Sequence, residues 1–155
     1  MQTRILAIAL AGFFASSVQV ADAARSGAAV QKPEAPLAAP FSESVMAGDT
    51  LYVAGHIGID TATGKAAADP VTEARLVMDA IKRTVDKAGL TMDDLVSVTV
   101  YCTDLDLFDK FNAVYRTYFH GRYPARAFIG VNKLLIGAHF EVAGIAVKQG
   151  GLHKP

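Results

Sequence analysis

The period of the apolar positions changes several times along this chain, and each change predicts an element. Ser42–Met46 and Thr50–Ala54 read as two short strands joined through Ala47, Gly48 and Asp49, a three-residue connection whose glycine can adopt the left-handed conformation of a hairpin turn. A polar loop containing Asp60–Gly64 follows. Asp69 and Pro70 supply an N-cap and a first-turn proline, and Ala74, Val77, Met78, Ile81, Val85 and Ala88 then recur at helical spacing until Gly89 closes the helix. Leu95–Cys102 is rich in Val and Thr and alternates as a strand does, whereas Leu107, Phe108, Phe111, Val114, Tyr115 and Tyr118 restore the helical period. Two more β segments, Ala127–Val131 and His139–Val147, are divided by a loop over Asn132–Ala138.

The predicted order is ββαβαββ, an α/β (α+β) domain in which two helices cover one face of a sheet. The other face of such a sheet still needs a cover, so partner chains are expected there.

The start of the chain has a different pattern. Arg4 precedes an unbroken apolar stretch, Ile5–Ala15, and Ala21-Asp22-Ala23 offers small residues where a signal peptidase reads them. Residues 1–23 are expected to be a signal peptide cleaved after Ala23, since the apolar stretch falls short of the ~20 residues a spanning helix needs. Residues 24–40, with Pro33, Pro36 and Pro40 among alanines, suit a tether, and the domain is expected over 41–150. A periplasmic or secreted protein with no membrane contact after cleavage is the corresponding expectation.

Composition narrows the function classes. Of 155 residues 52% are hydrophobic and 19% charged, enough apolar surface for one packed core. The 15 basic and 15 acidic residues cancel, and removing the signal segment takes one of each, Arg4 and Asp22. Nucleic-acid binding is marked by a basic surplus on one face, which is missing here. Cys102 is the single cysteine, so no internal disulfide forms. No pair among His56, His120, His139 and His153 has the close helical spacing of a metal site, and no metal is expected.

Three side chains could carry chemistry. Arg126, in Tyr123-Pro124-Ala125-Arg126, stands at the mouth of an apolar strand, where a fixed guanidinium can grip a carboxylate through two parallel hydrogen bonds; a surface arginine at a strand start is the plainer reading. Glu141 lies within a very apolar β segment, so its carboxylate either needs a partner or, on an edge strand, faces water. Asn112 falls between core positions of the second helix, where a solvent-facing amide is common. Gly55 reads as a point of close backbone approach, because Gly55-His56-Ile57-Gly58 lacks the glycine pattern of a dinucleotide loop.

Taken in order, Ala54-Gly55-His56-Ile57, Thr63-Gly64-Lys65, Lys87-Ala88-Gly89-Leu90, Phe111-Asn112-Ala113-Val114-Tyr115, Tyr123-Pro124-Ala125-Arg126 and Glu141–Val147 resemble the RidA/YjgF family from about Pro40 to Val147. The resemblance implies a chorismate-mutase-like ββαβαββ protomer, a homotrimer with clefts at the subunit boundaries, and hydrolysis of reactive 2-imino and enamino acids to 2-oxo acids and ammonia without a cofactor. By position it gives Arg126 the substrate carboxylate and Glu141 the placing or activation of water, with Asn112 and Gly55 lining the cleft. Phe41 and Phe128 fall on further cleft positions, and both depart from the family: Phe41 replaces a tyrosine and Phe128 a cysteine, while Ala54 stands for serine and His56 for glutamine. Substrate preference is therefore expected to differ while the arginine and glutamate persist. An endoribonuclease, an activity also attributed to the family, and a non-catalytic ligand-binding or holdase protein are the competing classes. The paired Arg126 and Glu141 speak against a pure binding module, and the neutral charge balance speaks against RNA.

Overall fold

A computed structural model describes residues 40–148; the expected signal segment, most of the expected tether and the last two residues of the expected domain lie outside them. Seven strands and two α-helices follow in the order β1 (Ser44–Ala47), β2 (Thr50–Ile57), β3 (Ile59–Asp60), β4 (Lys65–Ala66), α1 (Pro70–Lys87), β5 (Leu95–Cys102), α2 (Phe108–Tyr115), β6 (Ala125–Gly130) and β7 (Phe140–Val147). Setting aside the small β3–β4 hairpin, this is the predicted ββαβαββ order.

Several boundaries differ from expectation, each for a local reason. The β1–β2 connection is a two-residue loop, because Ala47 already pairs with Thr50, and Gly48 takes its positive φ of 59° in that loop. Strand β2 runs to Ile57 rather than Ala54, because β7 beside it supplies ladder partners for His56 and Ile57. The polar loop holds the β3–β4 hairpin, turned by an Asp60 side chain that accepts from the Ala62 N–H. The second helix is shorter than its apolar period: only Phe108–Tyr115 is α-helical, with 3₁₀ turns over Leu105–Leu107 and Arg116–Tyr118 at its ends. Strand β6 begins at Ala125, since its parallel ladder with β5 starts at the Ser97–Ala125 pair, and β7 begins at Phe140, one residue after His139.

Helix α1 begins where its sequence predicts. The Asp69 carboxylate accepts from the Thr72 N–H at 2.8 Å, and Pro70 needs no N–H in the first turn. At the other end the Leu90 N–H reaches the Val85 carbonyl and the Gly89 N–H that of Asp86, with Gly89 at φ 74°. Gly89 thus stands just beyond the helix, in the left-handed position of a Schellman cap, not as its last residue.

The main sheet has the order β1-β2-β7-β5-β6, antiparallel except for the β5–β6 pair. Along β7, Phe140, Val142, Gly144 and Ala146 are buried, alternating with half-buried Glu141, Ala143, Ile145 and Val147. The buried set, with Leu51, Val53, Val98, Val100 and Cys102, packs beneath Val77, Met78, Ile81 and Val85 of α1 and Phe111 and Val114 of α2. Fully burying a side chain of this size stabilises by about 1.5–3 kcal/mol, so this helix-covered face is the core. The opposite face carries Tyr52, Ala143, Ile145, Ala127 and Ile129, apolar and uncovered by any described element.

Candidate active site

Arg126 lies on β6, an edge strand, opposite buried Val98 of β5, so its side chain rises on the helix-covered face. There its Nη2 donates to Asn112 Oδ1 of α2 at 2.8 Å. The guanidinium carbon sits 4.5 Å from the centroid of the Tyr115 ring, with Phe108 at 5.8 Å and Phe128 at 5.7 Å. These are cation–π distances, and three rings plus one amide hold the fork in place while leaving most of its N–H groups unused. Among the described residues no carboxylate comes within ion-pair distance of it. Asn112 is itself buried and thus not the solvent-facing amide of the plainer reading. Phe128 packs edge-on against Phe108 and Phe111, which makes the surroundings of the guanidinium apolar. Burial pushes the Tyr115 phenol up to about 12, against the pull of Arg126, and keeps it neutral.

Glu141 belongs to the other face. It pairs with Ile57 and Tyr101 in the middle of the sheet, so it is not an edge-strand residue. Two residues of β2, Ala54 and Gly55, bulge out of the ladder between Val53 and His56, and the phase of the strand shifts by one. His56 consequently turns to the helices, where its Nε2 meets Thr84 Oγ1 at 3.3 Å, and Gly55 turns to the open face beneath Glu141. A Cβ on Gly55 would stand 2.1 Å from Glu141 Oε1; only glycine lets the carboxylate lie there. The Glu141 carboxylate has no ion-pair partner among the described residues.

The candidate residues therefore form two half-sites. Arg126, Asn112 and Phe128 are gathered at the β6 edge on the helix side, while Gly55 and Glu141 share the open side nearer the β1 edge. Phe41, 61% exposed, precedes β1, at the opposite edge of the sheet from the first half-site on β6. Two inter-strand spacings of ~4.8 Å each, across β5, and the thickness of the sheet separate Arg126 from Glu141, so one protomer cannot set both on one small molecule. Residue types alone carried no sign of the Tyr115 and Phe108 platform or of Glu73, a carboxylate buried between α1 and β7. The one available signal for Glu73 is its place four residues before Val77, on the buried stripe of α1.

The chain is similar to proteins of known kind. The sequence model of the family described as Endoribonuclease L-PSP matches residues 32–148. A RutC family protein of Pyrococcus horikoshii is 37% identical over 111 residues, 71% of this chain and 88% of that protein. The 2-iminobutanoate/2-iminopropanoate deaminase of Escherichia coli is 34% identical over 113 residues, with the same shares covered. Among solved structures, that of E. coli TdcF with bound serine superposes at a TM-score of 0.69 with 31% identity, covering 77% of this chain and 98% of that one. The YjgF gene product of E. coli superposes at 0.68 with 32% identity, over 72% and 91%. With the ββαβαββ fold shared with these solved structures and the family's sequence model matched over residues 32–148, this chain belongs to the RidA/YjgF family.

Proposed function

We propose that this protein is an exported deaminase that hydrolyses 2-imino and enamino acids to 2-oxo acids and ammonia, acting in clefts between the protomers of a homotrimer. The observation that carries the reading is Arg126: a half-buried guanidinium fixed by Asn112 and three rings, with no carboxylate partner among the described residues, is a receptor for a carboxylate from outside. The names of two relatives support it, one a 2-iminobutanoate/2-iminopropanoate deaminase and one carrying serine, a small amino acid. In the cleft, Arg126 of one protomer takes the substrate carboxylate and Glu141 of the next aims a water at the imine carbon, which joins the two half-sites. The water oxygen adds to that carbon, the C=N bond becomes single, and collapse of the adduct expels ammonia and leaves the carbonyl. Glu141 accepts one proton from the attacking water and passes it to the nitrogen, and the adduct's hydroxyl proton follows as the C–N bond breaks, so that both water protons leave on ammonia. The apolar stretch of residues 5–15 and the Ala21-Asp22-Ala23 site support export.

The test is oxo-acid and ammonia release from freshly generated imines, measured against the spontaneous rate, with an RNA substrate in parallel. Arg126→Lys keeps the charge but loses the fork, and is expected to raise KM and lower kcat/KM sharply. Glu141→Gln should lower kcat by about 10² to 10⁴, the usual contribution of a general base. Wild-type rates in both variants, or cleavage of RNA alone, would overturn the reading.

A further inference from the structure

Glu73, in the first turn of α1, has a side chain with no solvent exposure. Its Oε1 accepts from the backbone N–H groups of His139 at 2.7 Å and Phe140 at 2.9 Å, and its Oε2 lies 2.6 Å from His139 Nδ1. A buried carboxylate survives only when its lone pairs are met, and here they are met by the two residues that lead into β7. The helix does not require this side chain as a cap, since Asp69 already performs that task. On its other flank Glu73 presses on Gly58, where a Cβ would stand 2.4 Å from the Glu73 carbonyl oxygen and 2.7 Å from its Cγ. Gly58 follows Ile57, the residue that faces Glu141 across the β2–β7 ladder. One side chain thus fastens β7 immediately before Glu141 and abuts β2 immediately after its opposite number.

We infer that Glu73 is a positioning residue for Glu141, acting through its clamp on the His139 and Phe140 N–H groups and its contact with Gly58. The inference rests on the deaminase reading for its kinetic consequence but not for its geometry. Arg126 and Asn112 lie on the edge strand and α2, away from the clamp, so substrate binding should be spared while the aim of the water is lost. A misplacement of ~1 Å in a catalytic group costs about 10²-fold in rate.

Three variants of the full mature chain test this. Glu73→Asp withdraws the carboxylate by one methylene and is expected to lower kcat by about ten- to a hundredfold with KM within about twofold of wild type. Glu73→Gln, whose amide oxygen still accepts from both N–H groups, should recover about tenfold or more of that loss. Gly58→Ala pushes on Glu73 from the other side and carries the same expectation as Glu73→Asp, should that variant fail to fold. In parallel, crystal structures should show the Glu141 carboxylate displaced by about 1 Å in Glu73→Asp and back in place in Glu73→Gln. Wild-type kcat in Glu73→Asp, or kcat and KM falling together without recovery in Glu73→Gln, overturns the inference. If wild type releases no oxo acid from any imine, the deaminase reading falls and the crystallographic arm decides alone: an unmoved Glu141 carboxylate overturns the clamp, a displaced one upholds it.

Discussion

His56 shows how much one substitution can alter at the scale of a residue. Burial on the helix side of β2 pushes its imidazole below the ordinary 6.5; Glu43 opposes the shift, and Arg83 and Lys87 add to it. In the unfolded chain the ring takes up a proton as pH falls through 6.5, while the fold still refuses it. Stability is therefore lost as pH falls from that value to the lower native one, and no further loss comes from this group below it. Thermal melts of His56→Gln, whose amide can still meet Thr84, should show a flatter dependence on pH across this interval than wild type; equal slopes would remove the assignment. Arg126 and Glu141 were legible in the sequence because a charge within an apolar β segment demands a reason. Glu73 was not, since its partners are backbone N–H groups far along the chain, which no residue pattern records.

Among elements, the bulge in β2 decides where the glutamate can lie. Gly55→Ala would set a methyl 2.1 Å from Glu141 Oε1, and because that atom is the end of a flexible side chain, the carboxylate moves rather than the backbone. Turnover of imines should fall at least tenfold, by the same sensitivity of rate to ~1 Å displacements, while the melting temperature stays within a few degrees. A melting temperature lowered together with activity would mean that the bulge itself had collapsed. Helix α1 and strand β5 could be read nearly in full from the sequence, the first from Asp69, Pro70 and Gly89 about its ends, the second from an alternation that only the irregularity between Leu95 and Ser97 interrupts. The bulge, the β3–β4 hairpin and the 3₁₀ turns around α2 could not. Each depends on a neighbouring strand or on a single side-chain hydrogen bond, whereas the apolar period of Leu107–Tyr118 is shared by α-helix and 3₁₀ turn alike.

For the whole molecule, the open sheet face and the divided site make the same demand. An apolar surface with Tyr52, Ile145 and Ile129 on it, on a chain with neutral overall charge, calls for a cover of its own kind. Light scattering on the mature chain should give three protomer masses at micromolar concentration, and Ile145→Arg, a charge in the centre of that face, should return it to one and abolish turnover with it. A single-protomer mass for wild type would remove the shared cleft. The strand order has a further consequence for how the chain reaches this state. Strand β7 comes last in sequence yet lies in the middle of the sheet, between β2 and β5. Until it arrives, the β1–β2 hairpin and the β5–α2–β6 crossover have no strand in common, and joining them closes a loop almost as long as the domain. Folding is then gated by its most distant contacts and proceeds slowly for its size. A chain that stops short of Phe140 lacks the one strand that pairs with both β2 and β5, so the sheet is completed only when the last residues of the domain are in place.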